Sequence, residues 1–287
     1  MQSISAQNVF ELGGPGSILA RQKQDHVRLD RLLQRLDEVT PAAQDAVLLD
    51  IYRLVFPHAF AEEAVLWPVI RRLLPDGDTL TLQVELEHQQ INELVTQLEA
   101  LEPGSLAHQQ ILVRVVELLR EDVRDEEDAL LPRLQEKLSP SQLRLLGLAW
   151  EFVRAIAPTR PHPIVSRRPP GNVLSALPLA LLDRLRDLLD SRLQQGAGDP
   201  LPGLRPLSTA LKGASHAVER LPGMRRGEHP ATRASSSRKS YWAPALCIGG
   251  GLGLAALILA RRRADPAGTS KLAGRVVDAL GLEPRTR

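Results

Sequence analysis

Two segments of the chain echo each other. His58-Ala-Phe-Ala-Glu62-Glu63-Ala-Val-Leu-Trp-Pro68 and Asp122-Val-Arg-Asp-Glu126-Glu127-Asp-Ala-Leu-Leu-Pro132 both start at a side chain able to bind metal. Each then runs through three residues to a Glu-Glu doublet and on to a proline. Positions four apart share one face of a helix, so His58 pairs with Glu62 and Asp122 with Glu126. His26 and His88 lie on two further helical stretches. Imidazole mixed with carboxylate suits iron or manganese, and carboxylates can bridge two cations that would otherwise repel. The chemistry on offer is a two-metal site with His26, His58, Glu62, His88 and Glu126 as ligands and Asp122 as a sixth.

Each of these residues alone has an ordinary alternative. A lone histidine on a helix is more often a packed or surface residue than a ligand, and Glu62-Glu63 by itself is a solvated doublet. Their combination carries the argument, because each of four helices bears a metal-capable residue beside an apolar stripe.

The elements that must position them are helices. Ser17 caps a first one running to about Val39, with Ile18, Leu19, Val27, Leu29, Leu32, Leu33 and Leu36 mostly at helical spacing. A second spans about 41–74 and contains Pro57, which either kinks it beside His58 or divides it in two. A third covers about 79–101, a fourth about 106–138, and a fifth, opened by Ser139-Pro140, about 142–157. Short breaks between long helices predict an all-α, up-down-up-down four-helix bundle, which holds metal ligands on inward faces. His108 shares the helical face of Asp122 but lies about 21 Å away at 1.5 Å per residue, so it is no substitute ligand.

This order of motifs resembles the hemerythrin-like family, also called HHE cation-binding domains. Asp25-His26 matches its first element, His58 to Glu62 the second, Glu87-His88 the third, and Glu126 the carboxylate of the fourth. The likeness covers about residues 15–156. It implies a non-haem di-iron centre that binds O2 or a related small molecule. Where the family pattern has a fourth-helix histidine this chain has Asp122. Three outcomes are open: Asp122 ligates, it leaves a coordination position open, or one metal position is lost. Glu121 is one residue off the ligand face, and Glu127 competes with Glu126.

The 287 residues carry a formal charge of +2, which hides an asymmetry. Residues 1–156 hold 15 Lys/Arg and 25 Asp/Glu, while 157–287 hold 21 and 9. The single cysteine, Cys247, excludes an intrachain disulfide framework. The N-terminus has no basic or apolar stretch of the secretory type. Residues 158–240 read as a basic, mostly disordered linker with an amphipathic helix near 172–194, most plausibly from Pro178, and with His162, His216 and His229 solvated. Residues 242–260 are uncharged and end against Arg261-Arg262-Arg263, so 241–263 is expected to be a C-terminal transmembrane helix, with 264–287 a short basic tail.

These features predict a non-haem di-iron protein that binds or senses O2, NO or reactive oxygen species, anchored in a membrane by its C-terminus with the N-terminal domain cytoplasmic. One iron, or manganese, is the alternative metal content. An iron-dependent peroxidase or oxidase, or a metal-free helical membrane adaptor, is the alternative function. The expected partners are a small diatomic or peroxide ligand and anionic lipid. Gly249 and Gly253 have the spacing of a helix-mediated homodimer. Nucleic-acid binding is not expected, since the basic residues lack interleaved aromatics or a recognisable module.

Overall fold

A computed structural model describes residues 2–195 and 204–234. Among these every regular element is helical, and no strand is present. The first rod is α1 (Ile18–Glu38). The second is α2 (Pro41–Ala61), a π turn (Glu62–Leu66) and α3 (Trp67–Leu73), and the third is α4 (Gly77–Leu98). The fourth is α5 (Leu106–Asp125), a π turn (Glu126–Leu130) and α6 (Leu131–Gln135). Then come α7 (Pro140–Ala155), α8 (Gly171–Gln195) and α9 (Leu204–Glu219). Serine side chains start several helices by accepting from otherwise orphaned amides: Ser17 from Ala20, Ser105 from His108, and Ser139 in a capping box with Gln142. The second rod runs on through Pro57 without a break, so the proline is no boundary between two shorter helices.

The bundle has two apolar cores with a polar layer between them. Leu19, Phe60, Val84 and Leu130 belong to one core, and Leu29, Phe56, Ile91 and Leu119 to the other. Going up the chain, α1 and α4 run from the first core to the second, while α2 and α5 run back. The four rods therefore alternate in direction. Each crosses the polar layer at its candidate ligand: His26, His58 with Glu62, His88, and Asp122 with Glu126. Helix α7 packs against α1, α2 and the first π turn. Its Gly147 allows this approach, since a Cβ there would run into the Gly16 carbonyl.

The region after α7 differs from its expected character. Residues 158–170 are a buried strap rather than a linker, because their polar groups find partners on α4. Arg160 pairs with Glu99, the His162 amide donates to Asn92 Oδ1, Gln89 donates to the Pro163 carbonyl, and Arg168 pairs with Glu85. Helix α8 starts at Gly171 and not at Pro178, which the helix carries in its interior. Disorder was also expected across 204–234, yet α9 packs on α8, and the chain beyond it returns to the strap through Ser166 N–H to Met224 C=O and Gly171 N–H to Arg226 C=O.

His162 is buried between Asp183 and Glu219, at 2.9 and 3.0 Å, and is not solvated. Burial alone would lower its pKa, but the two carboxylates outweigh that and raise it to about 10. His216 likewise bonds Glu219, and His229 accepts from the Ala231 amide. The candidate membrane span 241–263, with Gly249 and Gly253, lies outside the described residues. Among the described residues, no helix is long and apolar enough to cross a membrane.

Candidate metal centre

The two prolines shape the backbone at the site. Without an N–H, Pro68 and Pro132 cannot bond the carbonyls of Ala64 and Asp128 four residues back. Just upstream the ladder widens into the two π turns, closed by Trp67 N–H to Glu62 C=O and Leu131 N–H to Glu126 C=O. The wider turn lets both members of a Glu-Glu doublet serve the site. Glu62 and Glu126 reach its centre, and Glu63 and Glu127 its rim.

At the centre, His58 Nε2 lies 3.1 Å from Glu62 Oε1, and His88 Nε2 lies 3.7 Å from Glu62 Oε2. His26 Nε2 is 3.3 Å from Glu126 Oε2, and His88 Nε2 is 3.5 Å from Asp122 Oδ1. Two triads, His26–His58–Glu126 and Glu62–His88–Glu126, each offer three ligand atoms within 4.8 Å of one another. Glu126 belongs to both, and the two oxygens of Glu62 face different imidazoles.

The rim follows a rule. Every imidazole turns Nε2 inward and gives Nδ1 to a carboxylate: His26 to Glu127 at 2.9 Å, His58 to Asp25 at 3.2 Å, and His88 to Glu63 at 3.0 Å. Such partners fix ring orientation at metal sites.

The electrostatics are those of a crowded, dry layer. Burial by itself would lower the histidine pKa values, but carboxylate neighbours raise His26 to about 9 and His58 to about 10. Burial, reinforced by the charges of Glu62 and Asp122, pushes Glu126 up to about 8. Burial likewise pushes Glu87 up to about 7, aided by Asp122. Glu62 Oε1 and Oε2, His88 Nε2, Asp122 Oδ1 and Glu126 Oε1 are buried without a geometrically sound hydrogen bond among the described residues. An orphaned buried polar group costs about 1–3 kcal/mol, so this cluster is poorly explained as structural. The donor set and its unpartnered atoms fit bound cations.

Residues 17–134 match the family model described as the hemerythrin HHE cation binding domain. This segment belongs to that family. An uncharacterized hemerythrin-like protein of Schizosaccharomyces pombe is 25% identical over 134 residues, 46% of this chain and 66% of that protein. A DNA nickase of Nostoc sp. is 27% identical over 121 residues, 42% of this chain and 34% of its own length. The chain thus spans less than two thirds of either curated relative. No solved structure matches.

The HHE domain brings all six expected residues into one layer. His26, His58, Glu62, His88 and Glu126 are buried, and the Asp122 side chain is 13% exposed. Asp122, which aligns with the histidine of the family pattern, has Oδ1 3.5 Å from His88 Nε2 but belongs to neither triad. Glu121 stays outside, 3.8 Å from Arg114, and Glu127 does not compete with Glu126 but holds His26 from behind. Between His26, His58 and Asp122 lies a cavity of about 20 Å³, otherwise lined by Asp25 and apolar side chains such as Leu29, Leu54 and Val55.

Sequence reasoning missed the rim carboxylates Asp25, Glu63 and Glu127, although the doublets and the Asp25-His26 pair contained the signal. The fifth helix, with Leu143, Leu146, Trp150 and Val153, was expected to cover one end of the bundle, and it does; what was missed is its contact, and the strap's, with the site. Trp150 on α7 meets the His58 ring edge-on at 5.3 Å, and Arg154 and Arg167 contact Asp25 and Glu63.

Proposed function

We propose that the HHE domain holds two non-haem metal ions, with iron as the resident metal, and that the centre binds or senses O2, NO or a reactive oxygen species. His26, His58, Glu62, His88 and Glu126 would hold the ions, with Asp122 beside His88 as a sixth candidate. The observation that carries this reading is the convergence of buried, unpartnered donor atoms while each imidazole's outer nitrogen is occupied by a carboxylate. Iron, when bound, supplies one-electron chemistry and affinity for small oxygen and nitrogen ligands.

The chain's own residues do the rest. Asp25, Glu63 and Glu127 hold the imidazoles with Nε2 inward, Trp150 and the apolar cores keep bulk water out, and the cavity beside Asp122 is large enough for a water or a diatomic molecule. Asp122 adds negative charge where the family carries a neutral ring, which favours the oxidised metal.

The reading extends to a membrane tether through 242–260, with the HHE domain in the cytoplasm and output through a partner. Its support is the uncharged run and the arginines beside it. The nicking activity in the Nostoc relative's name is not carried over, since the likeness covers a third of that protein.

The test is iron per chain in the full-length protein after iron-replete expression, with an optical spectrum in air. Two irons and an oxo-bridged charge-transfer band are expected. One metal would mean that the Asp122 side holds none, and no metal would overturn the proposal.

A further inference from the structure

The carboxylates behind two of the three imidazoles are themselves gripped by arginines from outside the HHE domain. Arg154, on α7, donates from Nη1 to Asp25 Oδ2 at 2.9 Å, the same oxygen that faces His58 Nδ1 at 3.2 Å. The rest of its guanidinium is fixed as well: Nη2 donates to Glu151 at 3.0 Å, and the group lies 4.9 Å over the Trp150 ring. Arg167, in the strap, places Nη1 3.6 Å from Glu63 Oε1, the atom that faces His88 Nδ1 at 3.0 Å. Its Nη2 is anchored on the carbonyls of His162 and Val165 at 2.7 and 3.1 Å. Glu127, behind His26, has no arginine partner among the described residues.

We propose that Arg154 and Arg167 are positioning residues of the metal centre, reaching His58 and His88 through Asp25 and Glu63. The proposal rests on the two-metal reading above. A carboxylate on one hydrogen bond can rotate, whereas one that also faces an anchored guanidinium, hydrogen-bonded by Arg154 or ion-paired with Arg167, has its oxygen held in place. With that oxygen fixed, the imidazole has one orientation and its Nε2 one target. Each arginine serves a different side of the centre, and each comes from a different element of the C-terminal cover. Metal affinity and the docking of that cover are therefore linked, and by reciprocity each strengthens the other.

The test uses the full chain with cobalt(II) as probe, in competition with a chelator of known affinity, and reads both the affinity and the ligand-field spectrum at equal cobalt content. Loss of a ligand's outer partner costs about 10- to 100-fold in metal affinity; Arg154→Gln and Arg167→Gln leave Asp25 and Glu63 in place and are each expected to cost part of that, up to about tenfold. Arg154→Lys keeps the charge without the fork and is expected to recover part of the loss. Arg168→Gln releases the strap from Glu85 without touching an imidazole's partner and is expected to leave affinity and spectrum unchanged.

Native cobalt binding by both folded glutamine variants would overturn the proposal. So would a loss in Arg168→Gln equal to that in Arg167→Gln, since the strap's integrity alone would then be at work. If Arg167→Gln does not fold, Arg154→Gln decides the matter, its side chain being 26% exposed. A native chain that binds neither cobalt nor iron would overturn the two-metal reading itself. Native binding with unchanged variants would overturn only the positioning roles.

Discussion

The two echoing segments share one backbone device and differ in what covers it. In the first π turn all five residues, Glu62 to Leu66, are buried; in the second only Glu126 and Leu130 are. Helix α7 lies over the first, whereas the short N-terminal turn Ile4–Ala6 packs on the second. The side chains one turn earlier differ in type but hardly in exposure: His58 is 11% exposed and Asp122 13%, and Asp122 Oδ1 is buried. What differs is their support, since His58 has Asp25 behind it whereas Asp122 faces His88. The repeated motif thus specifies the two glutamates, and the halves differ in what holds the side chain before them.

The largest expected effect removes the feature common to both halves. Glu62→Ala takes away oxygens facing both His58 and His88, so metal analysis should show near-complete loss of both ions; retention of one would mean that the halves bind independently. Next comes the cover of the first half. Trp150 is fully buried, and Trp150→Ala should destabilise the protein by about 3–5 kcal/mol in denaturant unfolding. Half-buried Val123, beside Asp122, should lose far less on truncation to alanine. Asp122→Ala should reduce bound metal from two to about one, and Asp122→His should restore two and make the halves alike.

The smallest effect is a pH dependence from groups within the cover and at its seam with the bundle. Charge pairing depresses Glu99 and Glu219 to about 2 in the fold, against burial that opposes it. Their contribution is present above the ordinary value of 4.5 and is lost as pH falls towards 2. His162, raised to about 10, contributes fully below 6.5 and loses that contribution as pH rises through 10. Through these three groups denaturant midpoints should fall as pH drops below 4.5 and as it rises above 6.5. His162→Phe should reduce the alkaline loss without abolishing it, since His26 and His58, raised to about 9 and 10, lose their contributions in the same window, and it should also shrink the acid loss by removing a partner of Glu219.

Much of this was legible in the sequence. Apolar spacing and serine caps located the bundle helices to within a few residues, because local pattern and burial agree there. The residues that the fold gathers into the polar layer were legible as candidates because each lies where an apolar stripe is interrupted. The strap was not. Glu85, Gln89, Asn92 and Glu99 fall at helical spacing on α4 and look like any solvated face, while their partners Arg160, His162, Pro163 and Arg168 lie about 60–80 residues later in a stretch whose composition is that of a linker. Composition records that a segment is polar; it does not record that its polar groups have matching partners. The π turns escaped for a related reason, since one widened turn changes which side chains meet without changing their order.

Helix α4 is covered on two faces and keeps only a narrow exposed stripe, Thr79, Gln83, Leu86, Gln90 and Gln97. One covered face carries His88, Ile91 and Val95 into the bundle, and the other, with Glu85, Gln89 and Asn92, is sealed by the strap. Amides in a helix enclosed on both faces exchange with solvent only when a large part of the molecule opens. The slowest-exchanging hydrogens of this protein should therefore lie in α4, with those of α5 faster, and the rate in α4 would measure the opening of bundle and cover together.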